Sequence, residues 1–575
     1  MQTITQQLDS AFRAGIRSAF SIDADPLVAP STNGKFGDYQ ANAAMGLAKE
    51  LAKSGQKANP RAVADKIKAA LQLGDMASDI SIAGPGFINV RLSPTFLSRT
   101  LSQIVSDPRL GIDKTSHPQT GVVDYSGPNI AKELHVGHLR STIIGDACAR
   151  VLEFQGNKVI RQNHLGDWGT QFGMLIAYLF EEEGHGGGDI HIGDLEEFYR
   201  CAKRRFDDDP AFQDRARQTV VQLQAHDPAI ISAWTKIVDE TRRHYLPIYE
   251  RLGVQLTQAD ERGESFYNPM LRAVVDELKS KGLAVESEGA TVILIGGYDN
   301  PLIVEKTGGG FLYATTDLAA IRYRVGELHA DRVIYFTDSR QSQHFAQVFA
   351  AAKKASWAGR ASLEHAPFGT MLGEDGKPFK TRTGDIVKLA ELLDEAEQRA
   401  FALVSQKNPD LPEDQRRAIA HSVGIGAVKY ADLAKDRTSD YVFSFDQMLS
   451  LDGNTAPYLQ YAYARIRSIF RKAGGGQNVA SDAAIVLDSP FELALGKHIL
   501  RLGEVIELVG RELKPHHLCN YLYDLATRFS GFYENCPVLQ SMQPLRSSRL
   551  VLADLTARTM ALGLDLLGIQ HPEQM

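Results

Sequence analysis

The chain has 575 residues, with 63 Lys+Arg against 70 Asp+Glu and a formal net charge of −7. This length calls for several domains. The acidic balance argues against a general DNA binder, which gains affinity by neutralising phosphates, but leaves a local basic patch for RNA open. No apolar run is long enough to span a bilayer, and the N-terminal stretch MQTITQQLDSAFRAG lacks the charged-then-apolar pattern of a secretory signal. Cys148, Cys201, Cys519 and Cys536 are scattered without a CxxC pair, so neither a zinc knuckle nor a disulfide framework is expected and a reducing cytosol is.

Residues 1–112 predict an α/β domain. A helical pattern covers roughly 3–20, and Gly34 to Gln40 is a loop leading into a helix from Ala41 to Lys53. Asn59-Pro60 is a good start for a helix ending at Ala70, with Pro60 near its first position. Two strands then flank the Gly84-Pro85-Gly86 turn. These residues hold no catalytic constellation, and an independently folded accessory domain is the plainest reading. Ser106 to Thr120, rich in Pro, Asp, Gly and Thr, predicts a linker.

Val122 to Tyr125 predicts a buried parallel strand, followed by the turn Ser126-Gly127-Pro128-Asn129. His135-Val136-Gly137-His138 then opens a helix with Leu139, Ile143, Ala147 and Val151 at helical spacing and Gly156 at its C-terminal end. Lys158 to Gln162 is the next strand. Gln171 to Phe180 continues helically, and Glu181 to Gly188 reads as an acidic surface loop, since a helix rather than a strand precedes it. Residues 194–252 look like a helical, charged insertion. Strands are predicted at Thr291–Ile295, Leu302–Val304, Arg332–Thr337 and Leu363–Ala366. Helices are predicted at 317–328, with Asp317 in the first turn, and at Ser342–Ala355. The loop Gly373 to Arg382 follows the last strand. This alternation predicts a parallel, doubly wound sheet.

From Ile386 onward the pattern is almost all helical. Residues 452–575 hold 12 Lys+Arg and 12 Asp+Glu. Basic and aromatic side chains interleave from Tyr458 to Lys472, a mix able to stack on bases and pair with phosphates. Periodicity alone favours an amphipathic helix with a solvated basic face.

The chemistry concentrates at the strand-to-helix junction. A helix N-terminus offers unpaired N–H groups and a positive dipole, which suits a triphosphate. Gly137 lets a base approach the backbone, and His135 and His138 can donate to phosphate oxygens as charge builds. A cation is needed opposite them. The loop with Lys377, Lys380 and Arg382 could supply it, although most such loops are solvated turns.

HVGH after a strand resembles the HIGH signature of class I aminoacyl-tRNA synthetases. The run Ser126 to Arg140, SGPNIAKELHVGHLR, closely resembles the arginyl-tRNA synthetase version. So do Asn163 to Gly169, Tyr313 to Asp317, Gly369 to Leu372, the helix Gln460 to Ile466 and the ending from Leu567 to Met575. Gly37 to Gln40 and Gly84 to Asn89 resemble the family's N-terminal additional domain, which contacts the tRNA core. The KMSKS signature is absent as such, and Lys377-Pro378-Phe379-Lys380-Thr381 stands in its place.

The resemblance implies an additional domain at 1–112, a Rossmann-like catalytic domain at 113–385 with a helical insertion at about 175–270, a connecting helical region at 386–451, and an all-α anticodon-binding domain at 452–575. It implies ATP-dependent attachment of L-arginine to its tRNA through an arginyl-adenylate. ATP is bound by Lys132, His135, Gly137, His138 and Lys380, with Lys132, His135, His138, Lys377 and Lys380 as the catalytic set. Which of the three lysines matters most is left open. The implied arginine pocket is Asp124, Asn129, Tyr313, Asp317 and Gln341. Two carboxylates, two amides and a ring suit a guanidinium. Many members carry Glu at the position of Asp124, so the shorter Asp is expected to reach the guanidinium through water. Read without the resemblance, Asp317 is a first-turn helix acid and Tyr313 a core aromatic. Tyr461, Arg465 and Arg467 are the candidate tRNA contacts. Further implications are Mg²⁺ with ATP, no protein-bound metal, no DNA or membrane partner, a cytoplasmic monomer, and arginine activation that needs tRNA. The rival readings are another HxGH nucleotidyltransferase, a synthetase for a different amino acid, and a synthetase-like tRNA-binding protein without catalysis.

Overall fold

The computed structural model describes residues 1–53, 59–184, 195–307, 309–379, 387–474 and 484–575. At its centre are four parallel strands: β1 (Thr120–Asp124), β2 (Lys158–Gln162), β3 (Arg332–Tyr335) and β4 (Ser362–His365). Their order is β4-β3-β1-β2. Helix α1 (Val136–Phe154) carries the chain from β1 to β2 on one side. The chain later returns through α2 (Tyr313–Gly326) to β3, on the other side of β1, and α3 (Ser342–Lys354) leads to β4. Strand order therefore reverses between β1 and β3, and ligands of such sheets bind beyond the strand C-termini at that point.

The two central strands, β1 and β3, are buried on both faces, as expected of parallel strands. Val122, Val333 and Tyr335 belong to one core with α2 and α3. Val123, Ile334 and Phe336 belong to the other, with α1. Side chains alternate faces along a strand, so Asp124 shares the face of Val122 and is paired in register with Tyr335. It therefore points toward α2. The β-branched run announced this strand; its last residue is an acid because it ends at the crevice.

Several sequence expectations need correction. The strands predicted at 291–295 and 302–304 are Ala290–Ile293 and Leu302–Glu305. They form a separate antiparallel sheet with Ala284–Ser287. The connection 294–301 is too short for a parallel crossover. Helix α2 begins at Tyr313, after the extended N-cap Leu312, which puts Asp317 beyond the first turn. Residues 181–184 extend the helix Thr170–Gly184, whose end is held by Glu181 pairing with Arg205 and Arg215; 185–188 lie outside the described residues. Tyr39–Ala41 is a strand rather than loop and helix, because alternating burial fits it between Val28–Pro30 and Phe87–Leu92. The helix after it starts at Ala44.

The N-terminal segment does not stand apart. Asp38 pairs with Lys497 at 2.8 Å. Glu504 Oε1 accepts from the Thr5 backbone N–H (3.0 Å) and the Tyr39 hydroxyl (2.8 Å). Beyond residue 386 the described chain is helical except for Tyr441–Val442, which pairs in parallel with Met371–Leu372. Among these helices, α4 (Glu413–Leu433) packs against α1 with two buried charges. Asp432 meets Arg140 of α1 at 2.9 Å. Lys429 donates to the carbonyls of Leu252 (2.6 Å) and Gly568 (2.5 Å), and burial pulls its pKa down to about 8. No helix among the described residues is long and apolar enough to cross a membrane.

Candidate active site

The crevice begins at the loop after β1. Ser126 and Ala131 hold positive φ (73° and 60°), which costs about 1 kcal/mol or more at a residue with a side chain. Hydrogen bonds over-determine the loop. The Ser126 N–H donates to Ser141 Oγ (2.9 Å), the Gly127 N–H to Asn163 Oδ1 (2.9 Å) and the Ala131 N–H to Thr241 Oγ1 (3.0 Å). Asn129 is exposed and forms an isolated parallel bridge with Gly166.

The loop delivers His135 as the N-cap of α1. The Gly137 N–H donates to His135 Nδ1 (3.0 Å), and the His135 N–H donates to His138 Nδ1 (3.2 Å). The rings lie 4.0 Å apart. A Cβ on Gly137 would stand 2.7 Å from His135 Cε1, so this glycine makes room for the imidazole cap. Burial, then Lys132, holds the His135 pKa below the usual range. Burial, then His135, pulls His138 down to about 3. Both rings are neutral at physiological pH. With each Nδ1 accepting, each proton is assigned to Nε2. The pair is therefore two neutral donors at a positive helix end.

Among the described candidate lysines, Lys132 is the one whose charge reaches both histidines. Its ammonium lies 5.0 Å over the Tyr199 ring, on the inserted helix Leu195–Asp208. Lys377 is exposed on a tight turn in which the Gly373 N–H donates to the Lys377 carbonyl (2.7 Å). Lys380 and Arg382 lie outside the described residues. The backbone just beyond them returns to the histidines: the Val136 N–H donates to Val387 O (3.1 Å) and the Leu389 N–H to Leu134 O (2.8 Å). Lys388, between these anchors, pairs with Glu133 (2.9 Å) and Glu196 (3.3 Å). Glu133 chiefly raises its pKa, to about 12.

Across the crevice, α2 and α3 supply the other face. Tyr313, 65% exposed, is no core aromatic. Its ring meets His344 edge-on at 4.9 Å, and His344 Nε2 lies 2.6 Å from Asp317 Oδ2. Gln341 is exposed at the end of the turn after β3. Asp124 is already engaged: its Oδ2 accepts from Nη2 of the buried Arg324 at 2.6 Å. Glu264 adds a third acid. Burial, then the charges of Asp167 and Asp317, push its pKa up to about 7.

Among the candidate tRNA contacts, Tyr461 on α5 (Ala456–Lys472) is 48% exposed, and Arg465 lies one turn away, stacked on the Tyr533 ring at 4.8 Å. Arg467 faces elsewhere and pairs with Glu573 at 3.3 Å.

The family model "tRNA synthetases class I (R), catalytic domain" matches residues 100–445. "Arginyl tRNA synthetase N terminal domain" matches 2–92 and "DALR anticodon binding domain" matches 459–575. The arginine–tRNA ligase of Laribacter hongkongensis is 52% identical over 580 residues, and that of Hahella chejuensis 53% over 582, each covering 100% of both chains. The chain belongs to the class I arginyl-tRNA synthetases. Its fold is shared with the arginyl-tRNA synthetases of Plasmodium falciparum (TM-score 0.88, 34% identity) and Thermus thermophilus (TM-score 0.83, 27% identity), each covering 100% of both chains.

Against this arginyl-tRNA synthetase fold, sequence reasoning missed Glu264, Arg324, His344 and Lys388. His344 carried a weak signal, since it opens a helix just after a strand of the doubly wound sheet. Glu264, Arg324 and Lys388 carried none, because their partners are distant in sequence.

Proposed function

We propose that the chain joins L-arginine to its tRNA in two steps at the β1/β3 crevice. ATP enters as its Mg²⁺ complex. The arginine carboxylate attacks the α-phosphate in line, giving arginyl-adenylate and pyrophosphate; the terminal ribose 2′-hydroxyl of tRNA then attacks the adenylate and releases AMP. The protein works by positioning and by stabilising charge. The observation that carries this reading is the pairing, across one crevice, of two neutral Nε2–H donors on a helix N-terminus with an acidic wall. In this reading His135, His138 and Lys132 face the phosphates, with Gly137 beside the base and Lys377 and Lys380 approaching from the opposite loop. Asp124, Asn129, Tyr313, Asp317 and Gln341 line the guanidinium site. Glu264 meets the substrate's α-ammonium, the second cation arginine brings. Residues 1–112 contact the tRNA core, 113–385 catalyse, 386–451 connect, and 452–575 read the anticodon side with Tyr461 and Arg465. Action in the cytosol as a monomer, with activation dependent on tRNA, belongs to the same reading.

The test is ATP–pyrophosphate exchange with each amino acid, with and without tRNA. Exchange with arginine alone, and only when tRNA is present, is expected. Exchange with another amino acid would replace the substrate, and tRNA binding without exchange would leave a binding protein.

Glu264 gives a pH prediction. Its acid form predominates below about pH 7, and a cation binds the ionised form better. The KM for arginine should therefore rise about tenfold between pH 8 and pH 6. Glu264→Gln should raise KM at pH 8 and flatten the dependence. An equally steep profile in that variant would remove Glu264 from the role.

A further inference from the structure

We propose that Arg324 is a positioning residue for substrate recognition: it fixes Asp124 as a single-oxygen acceptor for the substrate guanidinium. This rests on the arginine pocket proposed above. Arg324 is 0% exposed and lies seven residues after Asp317, on the same face of α2. Its Nη2 donates to Asp124 Oδ2 and its Nε to Gln162 Oε1, both at 2.6 Å, and its guanidinium sits 4.9 Å over the Tyr335 ring. Gln162 ends β2, Asp124 ends β1 and Tyr335 ends β3, so one side chain ties together three strand ends at the floor of the crevice.

A purely structural role fits this arrangement poorly. Buried ion pairs are commonly replaceable by apolar side chains without loss. Here Arg324 Nη1 and the Tyr335 hydroxyl are also buried with no hydrogen-bond partner among the described residues, an arrangement that weakens a fold. A cation beneath a pocket for a cationic substrate opposes binding unless it serves the acid between them. Arg324 serves Asp124 in two ways. It sets an opposite charge against a nearly buried carboxylate, the pairing that a buried acid requires. It also occupies Oδ2, so that Oδ1 is the oxygen left for the ligand. Recognition then depends on charge at a fixed point, which separates arginine from a neutral isostere such as citrulline.

The experiment measures arginine-dependent ATP–pyrophosphate exchange, in the presence of tRNA, for the full chain and its variants, with citrulline as competitor. Arg324→Gln should raise the KM for arginine at least about tenfold while kcat and the KM for ATP stay within about threefold. Its preference for arginine over citrulline should narrow by a similar factor, and Arg324→Lys should restore part of both. In an Asp124→Asn background, Arg324→Gln should add little, since the two side chains act as one unit. This background also provides the test should Arg324→Gln alone fail to fold. An unchanged arginine-to-citrulline preference in Arg324→Gln, or additive losses in the double variant, would overturn the role while leaving the pocket intact. A wild-type chain without arginine-dependent exchange would remove the pocket and this role together.

Discussion

Replacing His138 by alanine should lower kcat for arginine-dependent ATP–pyrophosphate exchange by about a hundredfold to a thousandfold, the loss typical of removing one preorganised donor to a developing negative charge. The KM for arginine should stay within about threefold, because His138 lies on the α1 side of the crevice and the acids lie on the other. The size of the effect has a local cause. The His138 Nδ1 is occupied by the His135 backbone N–H, so the ring is held with Nε2 outward before any ligand arrives. Asparagine, which can place an N–H in a similar position, should recover part of the rate. Ionisation plays no part: with its pKa pulled down to about 3, His138 is neutral across the working range. Activity should not follow the titration of His138 between pH 6 and 8 once arginine is saturating. A variant in which only the KM for arginine rises would move His138 out of the phosphate site.

The second large effect is expected at Asp317. Asp317→Asn keeps the shape and can still bond His344, but removes the charge that faces the guanidinium in the proposed pocket. The KM for arginine should rise on the order of a hundredfold, with a smaller change in kcat. His344→Ala should raise KM less, since it frees Asp317 without neutralising it. Steady-state exchange kinetics over a wide arginine range separate the two parameters. A fall in kcat alone would show that Asp317 acts on the chemistry rather than on binding.

Much of this site was legible because its signals are local. A β-branched run, a turn and two histidines at helical spacing lie within Val122 to His138, and strand, loop and helix follow from neighbours a few residues apart. The parallel sheet was legible for the same reason, through strand–helix alternation. What failed was whatever depends on partners remote in sequence. Asp124 reads as a free acid until Arg324 arrives 200 residues later. Asp317 reads as a first-turn acid until α2 is seen to start at Tyr313, with His344 beside it. The strands Ala290–Ile293 and Leu302–Glu305 have the composition of sheet strands, yet composition does not say which sheet, and a short connection decided it. The pairing of Lys388 with Glu133 and Glu196 was not legible because a lysine at a helix start carries no local signal of such distant partners.

The buried Lys429 and Asp432 bear on how far this chain can be treated as separable modules. Both project from α4, three residues apart, and neither is answered within its own helix. Asp432 is answered by Arg140 on the histidine-bearing helix, and Lys429 by the carbonyls of Leu252, at the end of the helix Pro228–Leu252, and of Gly568, near the C-terminus. A graft that exchanges the final helices for those of a relative must therefore bring a carbonyl to the place of Gly568, and a cut upstream of it strands an ammonium in the interior. Recombination points that look clean in the sequence, at the turns between helices, cross these charges. The blocks that can be inherited or swapped intact are consequently larger than the family domains, and α1 travels with the C-terminal tail.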